Sequence, residues 1–189
     1  MAAEEIVSAG GPAAVAEIAG LCEEPLWAEV FAAVCYDVGE PLQLGKARSF
    51  RDALAAQNPG GLAGERLALR CLRLGPVAAS CLAAHLRDRG YAWLDLSSNQ
   101  LGDRAMLSVR TLVCTLPRLR WLNLSGNLVT AEGVGELAEE LETNTVLESL
   151  TLGAPEAQAG GFRPNVVGAE GLSALLEALR SNPRSSLTS

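Results

Sequence analysis

Trp93 to Asn99 reads W-L-D-L-S-S-N, and Trp121 to Asn127 reads W-L-N-L-S-G-N. Leu94 to Leu122 is 28 residues, and Leu122 to Leu150 is 28 again. A pattern that returns at a fixed period of this size marks stacked structural units. Within L-x-L, side-chain alternation along a strand sends both leucines to one side and the residue between them to the other. The Asn lies where the chain turns away from the strand. Its carboxamide both donates and accepts, so it can satisfy backbone groups that a buried bend would otherwise strand.

The second half of the unit also recurs. After Asn127 come Thr130-Ala131-Glu132-Gly133, then Val134, Leu137 and Leu141. After Asn165 come Gly168-Ala169-Glu170-Gly171, then Leu172, Leu175 and Leu179. Spacings of three, four and seven place those apolar residues on one helix face. The unit is one short strand followed by one helix. A single unit cannot bury both of its faces, so units must stack.

The stretches NLVTAEGVGELAEEL and NVVGAEGLSALLEAL resemble the ribonuclease-inhibitor-like subclass of leucine-rich repeats. The resemblance runs roughly from Leu67 to Ser189. It implies an α/β leucine-rich repeat solenoid, with parallel strands on the concave side and α-helices on the convex side. It also implies a concave face that serves as a ligand surface with aromatic contacts, as in the ribonuclease inhibitor.

Departures from the pattern shape the expected organisation. In the unit from Leu69, Leu72-Arg73-Leu74 leads almost directly to Val77 with no Asn at the turn, and Cys81 is read at the usual glycine position. Ala105 stands there in the next unit. In the last unit GAPEAQAGGFRP separates Leu150-Thr151-Leu152 from Asn165, which adds 10 residues and predicts a protruding loop over 153–164. Residues 61–189 then hold about four units. The chain stops at Leu187-Thr188-Ser189, where the next strand is due, so the sequence reads as a fragment, a shortened product or a piece of a larger array.

Residues 1–60 read as a helical N-terminal cap. Pro25 to Val38 carries the stripe Leu26, Trp27, Val30, Phe31, Val34 and Cys35, while Ala13 to Leu21 and Lys46 to Gln57 are weaker helices. Asn58-Pro59-Gly60-Gly61 marks the boundary. A degenerate extra repeat is the alternative, because Leu42-x-Leu44 precedes Leu72-x-Leu74 by 30 residues.

Bulk composition narrows the function. The chain is 49% hydrophobic and only 4% aromatic, so its core is built from Leu, Ala and Val. A net charge of −7 with no dense Lys/Arg cluster argues against nucleic acid; a basic protein surface is the natural complement, and solubility alone is the other reading of such mild acidity. The five cysteines are widely spaced with no C-x-x-C, which suggests free thiols in a reducing compartment. Glu4 and Glu5 stand where a secretory signal carries basic residues, and no apolar run is long enough to span a bilayer. The expectation is a soluble cytoplasmic protein, with nucleus and cilium left open.

Candidate chemistry is thin. His85 lies in CLAAHLRDR without a nucleophile motif, and Gly10-Gly11 and Gly160-Gly161 lack a phosphate-loop Lys-Ser/Thr. Glu139, Glu140 and Glu142 read as a solvated helix face, and no metal-ligand spacing stands out. The expectation is no enzyme, no cofactor and no metal. The informative residues instead flank the leucines and face outward: Trp93, Asp95 and Ser97, then Trp121, Asn123 and Ser125, then Ser149, Thr151 and Gly153. On adjacent parallel strands Trp93 and Trp121 should sit side by side, about 4.8 Å apart. Such a pair has the composition of a binding hot spot. The function read from this is a non-catalytic protein–protein interaction scaffold that binds through its concave face. The alternatives are an enzyme regulator resembling the Ran GTPase-activating protein, or a fragment of a larger innate-immune or ciliary repeat protein.

Overall fold

The computed structural model describes residues 18–20, 24–153 and 164–187. Two helices come first, α1 (Pro25–Asp37) and α2 (Leu44–Gln57). Strand–helix units follow: β1 (Arg66–Ala68) and α3 (Pro76–His85), then β2 (Trp93–Asp95) and α4 (Met106–Thr115). β3 (Trp121–Asn123) with α5 (Ala131–Leu141) and β4 (Ser149–Thr151) with α6 (Gly168–Ser181) complete them. The strands form one parallel sheet in the order β1-β2-β3-β4. Most of the expected loop, and all of the expected Ala13–Leu21 helix except residues 18–20, lie outside the described residues.

One row of leucines forms the spine. Leu67, Leu94, Leu122 and Leu150 are register partners on neighbouring strands. The first three are fully buried, as are Leu69, Leu96 and Leu124, while Leu150 and Leu152 are partly buried against the same core. Each fully buried leucine contributes roughly 1.5–3 kcal/mol. The helices α3 to α6 close the core from one side, each beside the next.

The turn asparagines tie each unit to the one before it. Asn99 donates to the carbonyls of Leu69 and Leu96, each at 2.8 Å, and accepts from the N–H groups of Leu72 and Leu74 at 3.0 and 3.1 Å. Asn165 repeats this, donating to Leu124 and Leu152 and accepting from Asn127 and Val129. The 10-residue insertion therefore leaves that link intact.

The register corrects the reading of the first unit. Leu67-x-Leu69 is its inward pair, so Leu72 stands at the asparagine position and Leu74 lies beyond the turn, aligned with Leu101 and Val129. The small residue at the helix start is then Ala78, not Cys81. Ala78, Ala105, Gly133 and Gly171 are all buried there. The site is tight: a Cβ on Gly133 collides with the Asp103 carboxylate and comes within 2.8 Å of Met106 Cγ. Asp103 is needed in place, since it accepts from the N–H groups of Thr130 and Gly133 at the start of α5. Gly133→Ala should therefore cost about 1–3 kcal/mol in urea unfolding. An unchanged midpoint would show that Asp103 can move aside.

The N-terminal helices do not repeat the unit. Asp37, the last residue of α1, accepts from Gly75, Val77 and Ala78 at the start of α3. Glu29, near the start of α1, meets His85 at the end of α3. α1 thus runs antiparallel to the helix it packs on. Leu42 lies in no strand and Leu44 opens α2, so the Leu42-x-Leu44 pair is not a strand pair. After α2, two carboxamides occupy the outer edge of β1. Asn58 accepts from the Ala68 N–H and donates to its carbonyl, both at 2.8 Å, and Gln57 does the same at Arg70. They pair with the strand edge much as a neighbouring strand would.

Candidate protein-binding face

The sheet face turned away from the helices carries one row of four register partners: Arg66, Trp93, Trp121 and Ser149. The indoles of Trp93 and Trp121 are stacked, with centroids 4.4 Å apart and planes within 5° of parallel. That spacing is set by neighbouring parallel strands. The Arg66 guanidinium lies over the Trp93 ring at 4.6 Å, a cation–π contact that extends the stack. Both tryptophans are half-buried, so each keeps part of its surface open. Flat, rigid rings of this kind offer large contact area at low entropic cost.

The next residues along the strands behave differently. Asp95, Ser97 and Ser125 were expected on the open surface, but all three are buried. Asp95 folds back to accept the Ser97 N–H at 2.9 Å, and its other oxygen faces Arg70 at 3.9 Å. Asn123 likewise accepts from the N–H and hydroxyl of Ser125. These groups are consumed in turning the chain out of the strand. Asn123, Ser149 and Thr151 stay half-buried on the same face, and Gly153 is exposed.

Sequence reading missed the N-terminal side of this face. A groove of about 950 Å³ opens beside Trp93, with Gln57, Asn58, Gly61, Arg66 and Arg70 among its lining residues. Arg66 on β1 and Arg70 just beyond it share the alternation with Ala68, a signal visible only once Leu67 is taken as the first inward leucine. Glu65 lines the groove as well, and Asp95 stands 3.9 Å from Arg70, so cationic and anionic groups meet there.

Among the described residues Cys35, Cys71, Cys81 and Cys114 are free. Burial raises the Cys35 thiol, and burial followed by the nearby Glu29 carboxylate pushes Cys81 up to about 12. Cys71 and Cys114 are exposed. In a Cys22→Ser background at pH 8, alkylation read by mass spectrometry should modify the exposed Cys71 and Cys114 well before Cys81, whose thiolate is suppressed by burial. Comparable rates would place Cys81 in a more open setting than its packing indicates.

Comparison with known proteins agrees with this architecture. A leucine-rich repeat family model matches residues 94–109. The chain is 38% identical over 104 residues to the Homo sapiens protein "NACHT, LRR and PYD domains-containing protein 13". That alignment takes in 52% of this chain and 10% of the relative, so the chain matches about a tenth of the relative's length. Together these matches and the parallel strand–helix units support a leucine-rich repeat protein. Among the described residues no helix is long and apolar enough to cross a membrane.

Proposed function

We propose that this leucine-rich repeat protein is a non-catalytic interaction module of the ribonuclease-inhibitor-like kind, a solenoid that grips a protein partner through its concave face. The observation that carries the reading is the Trp93–Trp121 stack with Arg66 laid over it. Aromatic and arginine side chains dominate binding energy at interfaces, and here three of them stand in one row on a rigid sheet. Asn123, Ser149 and Thr151 supply a polar rim. α1 and α2 act as the N-terminal cap: α1 covers α3, and Gln57 with Asn58 saturates the strand edge. Free thiols fit a reducing, intracellular setting.

The local charge refines the partner. Net charge favours a basic partner surface, but Arg66 and Arg70 line the groove beside the stack. The docked segment is therefore apolar or aromatic where it meets the indoles, with polar groups of both signs to match Glu65, Arg66 and Arg70 in the groove. The test is affinity capture from cells with the wild type and with Trp93→Ala/Trp121→Ala, compared by quantitative mass spectrometry. The reading expects a partner retained by the wild type and lost from the folded double variant. Equal capture by both would move the interface elsewhere.

A further inference from the structure

A cluster where α1 meets the end of α3 has no part in the protein-binding reading. Glu29 is on α1, and Cys81 and His85 lie one helical turn apart on α3. One ligand atom of each lies within 4.8 Å of the other two. His85 Nδ1 is 2.9 Å from the Cys81 carbonyl oxygen and 3.8 Å from Cys81 Sγ. His85 Nε2 is 3.1 Å from a Glu29 carboxylate oxygen. Both ring nitrogens therefore face oxygen acceptors. A neutral imidazole has one N–H and cannot satisfy both. A metal ion between Nε2 and the carboxylate would leave the one N–H on Nδ1, facing the Cys81 carbonyl.

The donor set favours the metal. A thiol, an imidazole and a carboxylate together suit a borderline-soft divalent ion such as Zn²⁺, whereas Mg²⁺ and Ca²⁺ prefer oxygen alone. Bonds of about 2.0–2.3 Å in a tetrahedral shell hold donor atoms roughly 3.3–3.8 Å apart. The 3.1 Å between His85 Nε2 and the Glu29 carboxylate is close to that range, and the donor atoms of the three residues lie within 4.8 Å of one another. Donation from Nδ1–H to the Cys81 carbonyl would also fix the tautomer that leaves the Nε2 lone pair for the ion, the usual support of a metal-bound histidine. Glu29 and His85 are each about one-third exposed, so solvent has access.

We propose that Glu29, Cys81 and His85 form a zinc site that clamps α1 to α3, with a fourth position for water. Cys81 gives up its proton to the buffer as the sulfur–metal bond forms, and no group changes oxidation state. Cys81-x-x-x-His85 spans one helical turn, a spacing too short on its own to mark a metal site in the sequence. Glu29 was not legible as a partner, because it is 52 residues before Cys81.

The probe is Co²⁺, added to the full chain carrying Cys22→Ser, Cys71→Ser and Cys114→Ser. The site predicts one equivalent bound, with a thiolate-to-cobalt charge-transfer band that Zn²⁺ displaces. Cys81→Ser should remove the band and weaken binding at least about tenfold, with His85→Gln and Glu29→Gln also weakening it. Zinc should raise the melting temperature of the parent but not of the Cys81→Ser variant. Absence of the band in the folded parent, or its survival in Cys81→Ser, would overturn the site. So would an equal zinc-induced thermal shift in both proteins.

Discussion

Asn99→Ala should lower the melting temperature by about 10 °C or more. The side chain holds two buried carbonyls, Leu69 and Leu96, and two buried N–H groups, Leu72 and Leu74. Alanine leaves those four groups short of a partner in a region that admits no obvious replacement. A stranded buried group costs about 1–3 kcal/mol, so the sum is roughly 4 kcal/mol or more. That is a large share of the 5–15 kcal/mol typical of a whole domain. For a chain of this size each kcal/mol moves the midpoint by about 2–4 °C. Asn99→Asp should rescue little, because a carboxylate accepts but cannot donate. Asn127→Ala should cost less, since its carboxamide oxygen has no partner even though its nitrogen donates to Leu96 and Leu124. A shift under about 2 °C for Asn99→Ala would mean that the units are not held by the asparagine link.

The Trp93→Ala/Trp121→Ala double variant should lose partner affinity by about a hundredfold or more while keeping its far-ultraviolet circular dichroism. Aromatic hot-spot residues cost about 2–4 kcal/mol each on truncation, and every 1.4 kcal/mol is tenfold. The two rings touch, so the single variants will not add: each removal also frees the face of the other ring. Trp93→Ala should be the more damaging single change, because it also removes the platform under Arg66. Trp93→Phe and Trp121→Phe should keep much of the affinity, as they retain a flat ring on the same strand position. If alanine at both sites leaves the dissociation constant within about threefold, the stack is a structural feature of the sheet alone.

How far the residues announced all this depends on the kind of constraint. The period from Leu94 to Leu150 places the leucines on neighbouring strands because side-chain alternation leaves them no other face, and the structure pairs them in that register. The tryptophan stack follows from the same register. The first unit was misframed because Leu72-x-Leu74 imitates the inward pair, while Leu72 itself replaces the diagnostic asparagine. Asp95, Ser97 and Ser125 were misplaced for a different reason. Alternation gives the side of the sheet but not whether a short polar side chain folds back on its own turn. The groove was hidden because Gln57 and Asn58 act through tertiary contacts with β1, and nothing in their local sequence reports the strand they meet.

The most direct test is hydrogen–deuterium exchange on the wild-type chain with and without its captured partner. Protection should concentrate on segments 65–70, 92–98, 120–125 and 148–152 and on the connection from Gln57 to Gly61. The outward surfaces of α4, α5 and α6 should exchange as they do in the free chain. Protection confined to those helices, with the tryptophan strands unchanged, would contradict the assignment of the binding face.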